Sequence, residues 1–265
     1  MTIFVLDPVP KYLHKDVAKQ LMKYENLYAE QVGFIGRSYS QPDMIRLDMM
    51  GGEFCGNAAR SLGAFLVYNK YCNFKQEDDK YNLQLECSGL QNSITCEVTN
   101  TDRNNVFMSK VNMPIPKNIS KDNLKVNDMC YLAIRVDFPG ITHFIVDDEQ
   151  VKNREALFNY VKDYMSKLNS NYEAFGIMFY NYRTNYLTPL VYVKSTNSLF
   201  WERSCASGTS ALGVALAYKC NNSLELVVKQ PGGELMVSVE RSDNKIKYIS
   251  INGKVEIIAE GIAYI

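Results

Sequence analysis

The sequence predicts an α+β protein made of two similar halves, and three observations support this. First, a segment recurs. CGNAARSLGAFLVYNK, from Cys55, and CASGTSALGVALAYKC, from Cys205, agree at the cysteine and at Leu62/Leu212, Gly63/Gly213, Leu66/Leu216 and Tyr68/Tyr218, all at the 150-residue offset between the cysteines. Second, each copy reads as a helix, because Ala and Leu recur at helical spacing behind small polar residues that start helices. Third, each copy is followed by two short strand-like runs separated by a glycine turn, the pattern of a β-hairpin.

Residues 15–27 predict a first helix, and Gln31 to Gly36 and Met44 to Met50 predict strands ahead of the Cys55 helix. Tyr81 to Cys87, the turn at Ser88-Gly89, and Ser93 to Val98 form the hairpin behind it. Pro114, Pro116 and the polar run after them predict a linker near 115–128. The second set begins with a helix at 150–168 and strands from Phe175 to Tyr180 and Leu187 to Lys194. The Cys205 helix follows, then Leu224 to Lys229, the Pro-Gly-Gly turn at 231–233, and Glu234 to Val239.

The expected halves are 1–118, carrying Cys55, and 119–265, carrying Cys205, with the last strand free to return to the first half. Because a duplicated fold brings equivalent elements face to face, the active site is expected in the cleft between them. The alternative is a relic repeat in which both cysteines are buried and inert.

At 265 residues, 46% hydrophobic and 22% charged, the chain has the composition of a globular protein with a substantial core. Twenty-nine basic residues balance twenty-nine acidic ones without a long run of either sign. That excludes the field a nucleic acid or anionic membrane partner would need, and leaves a small molecule as the expected partner. The apolar start, Met1 to Pro8, is too short for a signal peptide, and no later run is long enough to span a bilayer, so the expected location is cytoplasmic.

The seven cysteines, at 55, 72, 87, 96, 130, 205 and 220, form no Cys-x-x-Cys pair, and two histidines are too few to complete a zinc set, so no metal is expected. In a reducing compartment they are thiols. Cys72, Cys87, Cys96, Cys130 and Cys220 read as small buried hydrophobes.

Cys55 and Cys205 read differently, because inverting an α-carbon needs a base on one face and an acid on the other. A thiolate and a thiol serve both roles and exchange them with the direction of reaction. A free thiol titrates near about pH 8.5, and a helix amino terminus favours the anion. The unpaired N–H groups there, on Gly56 and Asn57 and on Ala206 and Ser207, can hold the substrate α-carboxylate. Such a site needs no cofactor.

Glu53-Phe-Cys-Gly-Asn-Ala58 and Glu202-Arg-Ser-Cys-Ala-Ser-Gly-Thr-Ser210 resemble the two cysteine motifs of diaminopimelate epimerases, and the second is also similar to proline racemases. Gln230-Pro-Gly-Gly-Glu-Leu235 resembles the turn that follows the second cysteine helix in that superfamily. The resemblance spans nearly the whole chain. It implies the diaminopimelate epimerase-like fold, two pseudo-symmetric halves each with a central helix wrapped by antiparallel strands, and catalysis by Cys55 and Cys205 on an amino-acid substrate without a cofactor; a homodimer is compatible with the sequence. It also implies substrate-side roles for Gln31, His143 and Glu202; the lesser alternative for His143 is a histidine that caps or fills a strand end.

Three departures bear on the substrate. Gly140-Ile-Thr-His143 and Ala174-Phe-Gly176 stand where diaminopimelate epimerases carry Gly-Asn-Pro-His and Asn-Ile-Gly, and the insert before the second cysteine is missing. These departures, with Glu30-Gln-Val-Gly-Phe34, resemble the histidine racemases of staphylopine-type opine metallophore pathways. Histidine is therefore the expected substrate, with Glu30 and Glu202 available to its ring N–H. Diaminopimelate or lanthionine epimerisation is the alternative, and an inactive amino-acid-binding paralogue is the alternative of another class. That family also has a first strand and a Gly-Asn ahead of the segment that here begins at Met1.

Overall fold

The computed structural model describes residues 1–38, 41, 43–71, 75–77, 79–195 and 197–265, so the expectation for Cys72 lies outside the described residues. The chain forms two compact units, Met1–Asn112 with Asn252–Ile265, and Met113–Ile251. Among the described residues no helix is long and apolar enough to cross a membrane.

In the first unit the order is β1 (Thr2–Val5), α1 (His14–Leu21), β2 (Gln31–Arg37), β3 (Ile45–Met49), α2 (Gly56–Tyr68), β4 (Lys75–Glu77), β5 (Lys80–Cys87), β6 (Ile94–Asn100) and β7 (Val106–Asn112). Its sheet runs β1-β2-β3-β5-β6-β7, with β4 beside β5. α1 packs Ala18 and Leu21 on Val32 and Phe34 of β2. It stops at Leu21, short of the expected 27, because Asn26 Nδ2 takes the Gln20 carbonyl at 2.7 Å and Tyr28 turns the chain with φ 50. β1 was not foreseen as a strand; its four residues pair in parallel with β2.

In the second unit the order is β8 (Asn118–Val126), β9 (Met129–Asp137), β10 (Ile141–Asp147), α3 (Arg154–Leu168), β11 (Ala174–Asn181), β12 (Tyr186–Val193), β13 (Ser198–Trp201), α4 (Ala206–Cys220), β14 (Leu224–Gln230), β15 (Gly233–Ser242) and β16 (Lys245–Glu256), whose residues from Asn252 on belong to the first unit. The sheet order is β16-β15-β14-β12-β11-β10-β9-β8, with β13 beside β12. The polar run read as a linker is β8, an edge strand whose Leu124 and Val126 reach the core while Lys121, Asn123 and Lys125 face water. α3 begins at Arg154 rather than 150, because Asn153 caps it by accepting from the Ala156 N–H at 2.9 Å.

The sequence repeat is also a repeat of topology. β1-β2-β3-β5-β6 and β10-β11-β12-β14-β15 have the same order, and their successive pairings are parallel, antiparallel, parallel and antiparallel. The expected wrapping of each central helix by antiparallel strands is therefore corrected to mixed sheets. Parallel neighbours need a crossover, and the helices supply it: α1 and α2 in the first unit, α3 and α4 in the second.

α2 packs on β5, β6 and β7, and α4 on β14 and β15 as well as β9, β10 and β11. Leu62, Leu66 and Leu212 are almost wholly buried, each contributing about 1.5–3 kcal/mol relative to exposure. The repeated glycines set how closely helix and hairpin approach. A Cβ on Gly63 would lie 2.2 Å from Cys96 Sγ, and one on Gly213 would lie 2.6 Å from Val237 Cγ2. On its α3 side the second unit's sheet buries Phe144, Phe175, Phe179 and Tyr192 with Leu157 and Val161.

Candidate active site

Each repeated cysteine is the N-cap of its helix. Cys55 has φ −126° and ψ 107°, Cys205 has φ −124° and ψ 105°, and each sulfur accepts the N–H three residues on. That N–H belongs to Ala58 at 3.4 Å in α2 and to Gly208 at 3.2 Å in α4. The cap turns each sulfur toward the N–H groups of the first turn, which have no acceptor inside the helix. Gly56 and Asn57, and Ala206 and Ser207, occupy that first turn as expected.

The hairpin turn behind each helix holds the segment in front of its cysteine. In the first unit Ser88 Oγ donates to the Glu53 carbonyl at 2.7 Å and accepts from the Met49 N–H at 2.9 Å. Gly89, with φ +77°, lies so close that a Cβ would sit 2.4 Å from the Phe54 nitrogen. In the second unit the Gly232 N–H donates to the Arg203 carbonyl at 2.6 Å, and a Cβ there would lie 2.9 Å from the same oxygen. Gln230, almost fully buried, accepts from the Cys205 N–H at 2.8 Å and donates to Thr209 Oγ1 at 2.9 Å. The sequence reading used Gln230 only as part of a motif and missed it as a positioning residue.

Around Cys55 the structure gathers Gln31 and Arg60. The thiol donates to Gln31 Oε1 at 3.0 Å, and Gln31 Nε2 donates to Thr2 Oγ1. A hydroxyl can accept or donate, so rotating the Gln31 amide would let the same pair serve a thiolate, with Nε2 toward sulfur. Asn57 Oδ1 accepts from Arg60 Nη2 at 3.3 Å. Arg60 was not singled out in the sequence, where it reads as one polar residue in a helix. Glu30 is not brought into this group; its carboxylate is half-exposed and binds the Met1 ammonium at 2.6 Å.

Around Cys205 the structure gathers Glu202, Ser207 and His143. Burial pushes the Cys205 thiol well above its ordinary range, and the Glu202 carboxyl, facing it and accepting its S–H, pushes the same way. Ser207 and the Gly208 N–H oppose that rise. This corrects the expectation that a helix start lowers both thiols: at Cys205 desolvation outweighs the helix terminus. Ser207 Oγ lies 3.5 Å from Cys205 Sγ and 3.0 Å from His143 Nε2. His143 is fully buried, its Nδ1 has no hydrogen-bond partner among the described residues, and burial lowers its pKa to about 3, so its ring is neutral. A bare lone pair is the cheaper group to leave unpaired, which assigns the proton to Nε2 and the Ser207 O–H to the cysteine.

The two sequence departures lie side by side. Ile141 pairs with Ala174 at the start of β10 and β11, two residues before the His143/Gly176 pair. Alternate strand residues share a face, so Ile141 and Ala174 share the face of His143. Phe175 does not. It packs in the α3 core against Phe158, Tyr172 and Tyr192, and is removed from the residues expected near substrate.

Of the cysteines expected to be buried, Cys87 and Cys96 are; Cys130 and Cys220 are exposed. Cys130 sits beside the turn of the outer β8–β9 hairpin and Cys220 on the last turn of α4, where little packs over them.

The family profile described as histidine racemase CntK N-terminal domain matches residues 1–264. A histidine racemase of Fusobacterium nucleatum subsp. nucleatum is 40% identical over 251 residues, 94% of this chain and 86% of that protein. A histidine racemase of Staphylococcus aureus is 28% identical over 269 residues, 100% of this chain and 94% of that one. A solved structure of a probable proline racemase from Agrobacterium radiobacter K84 shares the fold, with a TM-score of 0.64 at 11% identity over 98% of this chain and 90% of that one.

Proposed function

The chain belongs to the histidine racemase family, matched over residues 1–264, and on that premise we propose that it interconverts L- and D-histidine with Cys55 and Cys205 as the acid–base pair. The observation that carries the reading is the doubled N-cap: two cysteines with the same backbone conformation, each at the start of a repeated helix and each with polar side chains at its sulfur.

In one direction the Cys55 thiolate takes the α-proton. The α C–H bond breaks, an S–H bond forms, and the electron pair passes into the α-carboxylate. The carboxylate is held by first-turn N–H groups of the Ala206–Ser207 type, where helix termini favour negative charge. The Cys205 S–H then breaks to protonate the opposite face, leaving Cys205 as thiolate. The reverse reaction exchanges the two roles. Burial of Cys205 supports its starting as the thiol, and Glu202 orients the S–H that it delivers.

The apolar Ile141/Ala174 pair supports histidine over diaminopimelate. A flat imidazole tolerates aliphatic neighbours, and Glu202 can accept its N–H. A second zwitterionic centre left without partners costs on the order of 10⁴-fold. D-Histidine made this way would suit a staphylopine-type metallophore assembly, and a cytoplasmic location suits free thiols.

The test is a chiral assay with L-histidine and diaminopimelate side by side. Histidine is expected to approach an equal mixture of enantiomers while diaminopimelate turns over poorly. Efficient diaminopimelate epimerisation without histidine turnover overturns the substrate and leaves the cysteine pair standing.

A further inference from the structure

Arg60 is the one charged residue of α2, 6% exposed, and among the described residues it has no carboxylate partner. Its Nη1 donates to the carbonyls of Gly253 and Lys254 at 2.8 and 3.3 Å, its Nη2 to Asn57 Oδ1 at 3.3 Å, and its Nε has no acceptor among the described residues. Three neutral acceptors solvate a guanidinium but do not neutralise it. A buried charge without a counterion is costly enough that it normally comes with an anion.

The titratable groups around Arg60 narrow the choice of that anion. α2 packs on β1, β5, β6 and β7. β1 carries no ionisable side chain, and on β7 the residue facing Arg60 is Ser109, whose Oγ donates to the Arg60 carbonyl at 2.8 Å, while Lys110 points the other way along the strand. β5 supplies Cys87 and β6 Cys96, both pushed up to about 12 by burial, so both stay thiols at neutral pH. Glu86 on β5 is held by Arg46 and Glu97 on β6 by Lys80, while on β16, which supplies the Gly253 and Lys254 carbonyls, Glu256 is held by Arg103 and Lys254. Burial brings the pKa of Arg60 down to about 10, still charged at neutral pH, and Arg60 interacts electrostatically with Cys96 and then with Cys55; since Cys96 stays a thiol, Cys55 is left.

The second unit has the opposite arrangement. Ser210 stands at the repeat position of Arg60, its hydroxyl donating to the Ala206 carbonyl at 2.9 Å, and the charged group facing Cys205 is the Glu202 carboxyl. The two halves of the repeat thus place a cation by one cysteine and an acid by the other.

We propose that Arg60 is the fixed countercharge of the Cys55 thiolate, and so decides that the resting protein carries its thiolate on Cys55 and its thiol on Cys205. The inference rests on the reading of these cysteines as the acid–base pair. Arg60 acts through Cys55 as a positioning residue, without touching substrate. It breaks the equivalence that the sequence repeat would otherwise give the two cysteines.

Peptide-resolved alkylation of the full chain by iodoacetamide across pH tests this without measuring turnover. In the wild type the Cys55 midpoint is expected below that of Cys205. Arg60→Met is expected to raise the Cys55 midpoint by about one pH unit, a tenfold smaller thiolate fraction at neutral pH, with the high-pH rate and the Cys205 midpoint unchanged. Arg60→Lys keeps the charge and is expected to keep the midpoint near wild type. An unmoved Cys55 midpoint in folded Arg60→Met, or a shift in Arg60→Lys as large as in Arg60→Met, overturns the proposal. If Arg60→Met does not fold, the wild-type order of midpoints decides, and a Cys55 midpoint at or above that of Cys205 overturns it. Failure of the acid–base reading is separate: it removes exchange at the substrate α-carbon and leaves the alkylation midpoints as they are.

Discussion

At the scale of single residues, each cysteine is pulled by two opposed effects. The helix start and the N–H three residues on favour a thiolate, while burial favours a thiol, and at Cys205 burial prevails. His143 shows the same desolvation with a consequence for stability. Its folded pKa of about 3 lies below the ordinary histidine value of 6.5, so the unfolded chain binds the proton more tightly. The stability this neutral ring contributes is complete above about pH 6.5 and is lost as pH falls toward 3. Between pH 7 and pH 5 the loss from this one group is roughly 2 kcal/mol. Urea unfolding followed from pH 7 to pH 5 is expected to show that loss in the wild type and a clearly smaller one in His143→Gln. Equal slopes for the two proteins exclude His143 as the source. Cys55, Cys205 and Glu202 were legible from the sequence because the motif is local. Arg60 and Gln230 were not, because their importance lies in what burial and the fold bring to them.

At the scale of elements, the repeated helices owe their close seat to glycine. Gly63→Ala and Gly213→Ala are each expected to destabilise by about 1–3 kcal/mol, since the added methyl meets Cys96 Sγ in one case and Val237 in the other. The double variant Gly63→Ala/Cys96→Ala makes room for that methyl and is expected to recover part of the loss, read as the urea midpoint. Additive losses would show that the contact does not limit the seat. The cysteine helices, their hairpins and the strands before them were legible because period and turn chemistry agree over each segment. β8 was misread because an edge strand is polar along most of its length, and the prolines just before it suggested a longer break. The ends of α1 and the start of α3 were misplaced because Asn26 and Asn153 bond to the backbone there, and spacing alone does not show which asparagine will cap.

At the scale of the whole molecule, the repeat extends from one cysteine segment to the order and direction of five strands, which accounts for two helix starts with the same backbone conformation in one chain. The direction of pairing was not legible, because a strand looks alike in parallel and antiparallel neighbourhoods; the crossovers through α1 to α4 decide it. The central claim is that two thiols, one to each face, invert the α-carbon of histidine. Its most direct test is incubation of L-histidine with the protein in heavy water, with both enantiomers recovered early and weighed by mass spectrometry. The account predicts D-histidine carrying one deuterium at the α-carbon while the remaining L-histidine is still unlabelled, and loss of that product by several orders of magnitude in Cys55→Ser and in Cys205→Ser. Both serine variants should remain folded, since serine is a good N-cap. Label appearing in recovered L-histidine as fast as in D-histidine, or full activity in either serine variant, would contradict it.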